Sequence, residues 1–199
     1  MSSHHFVKEG QEPALFILDP LPFQLASPWL EWAPLVLVSD NALEDVLQWG
    51  IKMDLVLAED SRVEMLMQRL VEQAPVKIIS HPCGESSIMN ALSFLIDSKQ
   101  SGVNIMATVQ EDVFVRTEKF LHRLQVNLFD EKLKWSAISA GNFEKWLAVG
   151  ANLQIRKSFE SQSIQFQGLT QTESGFEAIT NGIVNIWSNQ LFWVAEPYS

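Results

Sequence analysis

Acidic side chains gather at two points of this sequence, each directly after a short apolar run. Residues 35–38 are a leucine and β-branched run that ends at Ser39-Asp40. Residues 53–58 are a second run, and it ends at Glu59-Asp60-Ser61. Between them Asn41 can cap a helix over residues 42–49, with Glu44 at the capping-box position and Gly50 as the stop. Two buried parallel strands joined by a crossover helix have this pattern, because both faces of such a sheet are covered. Ligands of open α/β sheets bind beyond the carboxyl ends of the strands. Asp40, Glu59 and Asp60 fall at those ends, so chemistry is expected there first. Each also has a structural reading. Asp40-Asn41 is a favoured helix cap, and Glu59-Asp60 suits a solvated turn before a helix N-terminus.

The flanking segments must position this unit. Residues 14–18 read as a strand that Asp19-Pro20-Leu21-Pro22 breaks. A short helical segment surrounds Trp29. Residues 61–73 read as a helix with Val63, Leu66, Met67, Leu70 and Val71 on one face and Ser61–Glu64 as its capping box. Pro75 ends it, 76–79 is a strand and 81–87 a turn. Residues 88–96 form a helix with Ile88, Ala91, Leu92 and Leu95 inward, stopped at Gly102. A strand over 103–107 and a helix over 114–124 follow. This alternation predicts an α/β N-terminal domain with a mostly parallel sheet over residues 1–125. From residue 126 the pattern is short strands, at 126–129, 133–138, 143–148, 153–156, 164–166, 183–187 and 191–194. Gly141, Gly150, Gly168, Gly175 and Gly182 punctuate them. A small all-β domain, a sandwich or partial barrel, is expected over 126–199.

The totals exclude several classes. The 199 residues, 47% hydrophobic and 19% charged, can bury a sizeable core. A net charge of −10 argues against nucleic acid as a partner and disfavours an anionic membrane. The single cysteine, Cys83, excludes an internal disulfide and fits a reducing compartment. No apolar run approaches the ~20 residues of a membrane span, and residues 1–12 lack the order of a signal peptide. A cytoplasmic protein is expected. His4 and His5 read as tail residues rather than metal ligands.

A Rossmann-like half followed by a small β-sandwich, with acids after two neighbouring strands, resembles the thiamine pyrophosphokinase family. Ser39-Asp40-Asn41-Ala42 stands where that family carries Asp-Gly-Gly, and Asp40 matches the aspartate. Residues 49–57 match the approach to its Pro-Asp-x-x-x-Gly-Asp-x-Asp-Ser stretch, with Met53 in place of proline. Ala58-Glu59-Asp60-Ser61 occupies the end of that stretch, one residue short. Residues 85–92 match the third motif, with Ser87 for its aspartate and Asn90 for its lysine. The family's Gly-Arg-x-Asp-His segment has no counterpart near 109–116. Residues 126–131, 141–155, 182–187 and 191–193 resemble the family's thiamine-side domain, and Thr180-Asn181 stands where a Ser-Asn loop is usual.

The resemblance implies diphosphate transfer from ATP to thiamine, giving thiamine diphosphate and AMP, with Mg²⁺ neutralising the phosphates. It assigns catalytic and metal roles to Asp40, Glu59 and Asp60, and places Glu85, Ser86, Ser87 and Asn90 near the nucleotide. Arg62, Lys52 and Arg116 are the cations available to replace the missing lysine and arginine. It also implies a homodimer, with thiamine between one subunit's α/β domain and the other's β domain. The rival expectation is a non-catalytic relative that binds a small ligand or only dimerises. Ser61, Ser86 and Ser87 serve equally as helix caps. His81 sits in a strand-end turn within reach of a phosphate. Cys83 reads as inert and His122 has no evident role. Of the seven tryptophans, Trp187 and Trp193 alternate along strands, so either can face a pocket.

Overall fold

The computed structural model describes residues 12–139, 141–158 and 163–197. His4 and His5 lie outside the described residues. The chain divides into two compact units after Val126.

The first unit is an α/β layer structure. Its strands are β1 (Ala14–Ile17), β2 (Val36–Ser39), β3 (Leu55–Glu59), β4 (Lys77–His81) and β5 (Gly102–Met106). All pair in parallel, in the order β5-β1-β2-β3-β4. β1, β2 and β5 are buried along their whole length, while β4, at the edge, is mostly not. That is why the inner strands read as unbroken apolar runs. The helices are α1 (Phe23–Leu30), α2 (Leu43–Trp49), α3 (Val63–Arg69), α4 (Ser87–Asp97) and α5 (Glu111–Glu118). Leu15, Ile17, Val38 and Val56 pack with Ala26, Leu43, Val46 and Leu66 in one core, so α1, α2 and α3 share a face of the sheet. Ile88, Ala91, Leu92 and Leu95 of α4 are buried as the periodicity requires, and α4 packs on α5.

The chain therefore steps outward from β1 to β4 and then returns through α4 to β5, on the other side of β1. The strand order reverses between β1 and β5. A crevice opens at the carboxyl ends of strands at such a reversal.

Several local expectations are corrected. Asn41 does not cap α2. Its amide is drawn to Asp19 instead, and Ser39 Oγ accepts the Ala42 N–H at 3.3 Å. Glu44 does not close a capping box, because its carboxylate pairs with Arg69 of α3. Gly50 does end α2, in the left-handed region at φ 67°. The expected helix over 61–73 is α3 flanked by two 3₁₀ turns, Asp60–Arg62 and Val71–Gln73, and no side chain caps it. On its expected inner face Leu66 and Leu70 are buried, while Met67 and Val71 are exposed. α4 stops after Asp97, where Lys99 rather than Gly102 takes the left-handed position at φ 60°. Gly102 opens β5, where a Cβ would sit 3.2 Å from the Gln125 carbonyl oxygen. α5 begins earlier than the expected 114 and ends well before 124. Glu111 and Asp112 fill its first turn, where acids favour the helix dipole.

The second unit is antiparallel. One set of strands runs β6 (Gln125–Phe129), β7 (Leu133–Ile138), β14 (Phe192–Pro197), β9 (Asn152–Lys157), β12 (Gly175–Ala178), β11 (Leu169–Thr172) in spatial order. A separate sheet runs β10 (Gln165–Gln167), β13 (Gly182–Ser188), β8 (Gly141–Leu147). Leu153, Leu169, Phe192 and Val194 from the first set share one core with Leu147, Val184 and Ile186 from the second. The β11–β12 hairpin is absent from the sequence expectation, because its strands are short and largely polar. Gly175 is required there: at φ 142°, a Cβ would lie 2.4 Å from the Leu153 carbonyl oxygen. Trp193 is fully buried, and Trp187 is half exposed. No helix among the described residues is long and apolar enough to cross a membrane.

Candidate ligand cleft of the α/β unit

β1 and β5 are tied together where they end. The Leu18 N–H donates to the Met106 carbonyl at 2.9 Å. Asp19, the next residue, accepts the Thr108 N–H on Oδ2 at 2.8 Å and the Asn41 amide on Oδ1 at 3.1 Å. One carboxylate thus links the loops that follow β1, β2 and β5.

Above this junction lies a cleft of about 490 Å³. Leu18 and Asp19 form its floor. The Gly84–Ile88 turn and the start of α4 form one wall. Thr108, Gln110, Asp112, Val113 and Arg116, from the loop after β5 and from α5, form the other. Arg116 is the cation of this set, 3.4 Å from Asp112 and 40% exposed, so its remaining N–H groups are free to face a ligand. The α4 N-terminus contributes backbone donors, since the first N–H groups of a helix lack intrahelical partners. A guanidinium beside a helix N-terminus suits phosphate oxygens. Asp19, Glu85 and Asp112 make the rest of the lining acidic, which disfavours a bare polyanion and favours one whose charge is partly neutralised.

Behind the wall, His81 ends β4 and is 3% exposed. Its Nδ1 lies 3.1 Å from the Pro82 carbonyl oxygen and its Nε2 lies 2.9 Å from Ser87 Oγ. His81 therefore does not reach toward a phosphate; it holds a serine of the cleft. Asn90 does not line the cleft. Its amide donates to the Ser86 carbonyl at 3.2 Å and to Glu85 at 3.5 Å, bracing the turn.

Asp40, Glu59 and Asp60 stand at the carboxyl ends of β2 and β3 but do not line this cleft. Asp40, with its side chain 17% exposed, is covered by Arg62, whose Nη1 donates to Oδ2 at 2.8 Å. Glu59 accepts the Cys83 thiol. That bond, then the carboxylate's charge and then burial, raise the thiol's pKa. Asp60 is exposed in the 3₁₀ turn. Among the described residues, no three His, Cys, Asp or Glu side chains are placed to hold a metal ion. Asp40, Glu59 and Asp60 are thus not gathered into one cluster, and Asp40 is paired with Arg62. Lys52 lies with Pro34 and Asp54 around a separate hollow, before β2 and β3 begin. His122 is exposed.

The structure thus brings Glu85, Ser86, Ser87 and Arg116 into one cleft and leaves Asn90, Arg62 and the three acids outside it. Sequence reasoning missed Asp19, Thr108, Gln110 and Asp112. Asp19 reads as a strand breaker until the strand order is known.

No family model matches the sequence, and no curated protein matches it. Solved structures do. The chain is similar to thiamine pyrophosphokinase from Bacillus subtilis at 12% identity and a TM-score of 0.69, covering 94% of this chain and 99% of that one. For the Candida albicans enzyme the figures are 6%, 0.71, 94% and 90%. For the yeast enzyme they are 10%, 0.71, 96% and 88%. The fold of this chain is that of the thiamine pyrophosphokinases.

Proposed function

We propose that this protein binds the phosphates of ATP in the cleft between α4 and α5 and transfers a diphosphate group to thiamine, releasing AMP. The observation that carries the reading is the position of the cleft. It opens at the strand-order reversal of a thiamine pyrophosphokinase fold, with Arg116 and the α4 N-terminus on its walls. In this reading residues 1–125 are the Rossmann-like nucleotide domain and residues 126–199 the sandwich that takes thiamine. Two copies form a homodimer in the cytoplasm, with thiamine between one copy's α/β domain and the other's β domain.

Mg²⁺ supplies charge neutralisation to a bound triphosphate. Asp40, Glu59 and Asp60 are the acids the resemblance assigns to it, yet the Asp40–Arg62 pair leaves no such centre assembled. That pair favours a second reading, a non-catalytic relative that binds a small ligand or only dimerises.

AMP release from ATP and Mg²⁺, with and without thiamine, separates the two. Thiamine-dependent AMP that is lost in Arg116→Ala supports the transferase. If Asp40→Ala also abolishes it, the β2–β3 acids belong to the site as well. A folded wild type that yields no AMP, beside an active thiamine pyrophosphokinase in the same assay, rejects the transferase and leaves the second reading.

A further inference from the structure

The bond between His81 and Ser87 fixes the direction in which protons can move. A carbonyl oxygen only accepts, so the Pro82 oxygen, 3.1 Å from Nδ1, requires that nitrogen to carry the ring proton. In the neutral ring Nε2 is then the accepting nitrogen. The Ser87 hydroxyl, 2.9 Å away, must donate to it. With its proton committed to His81, Ser87 Oγ offers only lone pairs to the cleft that it lines. A ligand group that meets it there has to be a donor, as an alcohol O–H is.

We infer that Ser87 and His81 are the proton acceptor for the alcohol that receives the diphosphate. This rests on the transfer reading above. The alcohol O–H donates to Ser87 Oγ. The alcohol oxygen bonds to the β-phosphorus while the bond from that phosphorus to the α–β bridging oxygen breaks. The alcohol's proton passes to Ser87 Oγ, and Ser87's own proton passes to His81 Nε2. AMP leaves with the bridging oxygen, and the imidazolium later returns its proton to solvent. The Nδ1–H bond to Pro82 keeps the ring oriented throughout, as the third group does in other hydroxyl–histidine pairs.

The test is kcat for thiamine-dependent AMP formation, beside the rise in melting temperature on adding Mg·ATP. Ser87→Ala and His81→Gln should each lower kcat by about 10²–10⁴ with the ATP-induced melting rise retained. Ser87→Thr, which keeps a hydroxyl, should recover part of the rate. Ser87 is only partly buried, so Ser87→Ala decides the matter should His81→Gln fail to fold. A kcat close to wild type in Ser87→Ala, or in a folded His81→Gln, overturns the inference and leaves the transfer reading standing. A wild type without thiamine-dependent AMP removes both.

Discussion

Two ends of one sheet edge differ in what their acids face. At the ends of β2 and β3, Asp40 is largely buried under Arg62, Glu59 holds the Cys83 thiol, and Asp60 points to solvent. At the ends of β1 and β5, Asp19 binds two loops together and, with Asp112 and Glu85, borders an open cleft that contains Arg116. Acids at strand ends do not by themselves make a site. A carboxylate satisfied by a neighbouring guanidinium has spent its charge on the fold. One that borders a crevice beside unpaired donors can act on a ligand.

The comparison breaks first at Arg116. At ATP one hundred times its Kd, binding should add about 2.7 kcal/mol of stability to the wild type. Arg116→Ala should weaken binding at least tenfold and remove about 1.4 kcal/mol or more of that gain, read as a smaller melting shift. An unchanged shift would place the nucleotide elsewhere. Asp19→Ala should cost about 1–3 kcal/mol of stability by chemical denaturation, since a charged acceptor leaves the Thr108 N–H and the Asn41 amide. It should weaken ATP binding as well, because it loosens the cleft floor.

Smaller effects sharpen the contrast at the other end. Arg62→Ala should change stability by no more than about 1 kcal/mol, because Arg62 is 44% exposed and solvent screens its pair with Asp40. It should also make the protein respond to Mg²⁺ alone, by uncovering Asp40; a melting temperature that ignores Mg²⁺ in this variant would show that the pair is not what closes the β2–β3 end. The Cys83 thiol has its pKa raised by Glu59. The protonated thiol is therefore favoured in the fold. Its stabilisation is present below the ordinary thiol pKa and is lost as pH rises through the raised value. Alkylation of Cys83 by iodoacetamide at mildly alkaline pH should accordingly be slow, and Glu59→Gln should speed it severalfold.

Much of the first unit is legible from residue types. The apolar runs at β1, β2, β3 and β5, and the inward face of α4, identify themselves because buried parallel strands and amphipathic helices have distinct periods. The helix starts are less legible. Asn41, Glu44 and Ser61 have the right types and spacing for caps, but their sequence neighbours do not decide their partners. Asp19 and Arg69, 22 and 25 residues away, take Asn41 and Glu44 instead. In the second unit, β11 and β12 carry too few apolar residues to be seen, and the constraint at Gly175 comes from Leu153 on another strand.

The sequence by itself determined the alternation of strands and helices, the change to short strands near residue 126, the acids after β2 and β3, and the resemblance those motifs carry. Only the tertiary structure decided which strand ends meet. The reversal between β1 and β5 is a long-range pairing, made by residues about ninety positions apart through contacts that no local spacing encodes. That pairing turns Asp19 from a strand breaker into the floor of a cleft, and it brings Arg116 to the start of α4. Proximity created by the sheet, rather than residue type, is what separates the acids that can meet a ligand from those that hold the fold.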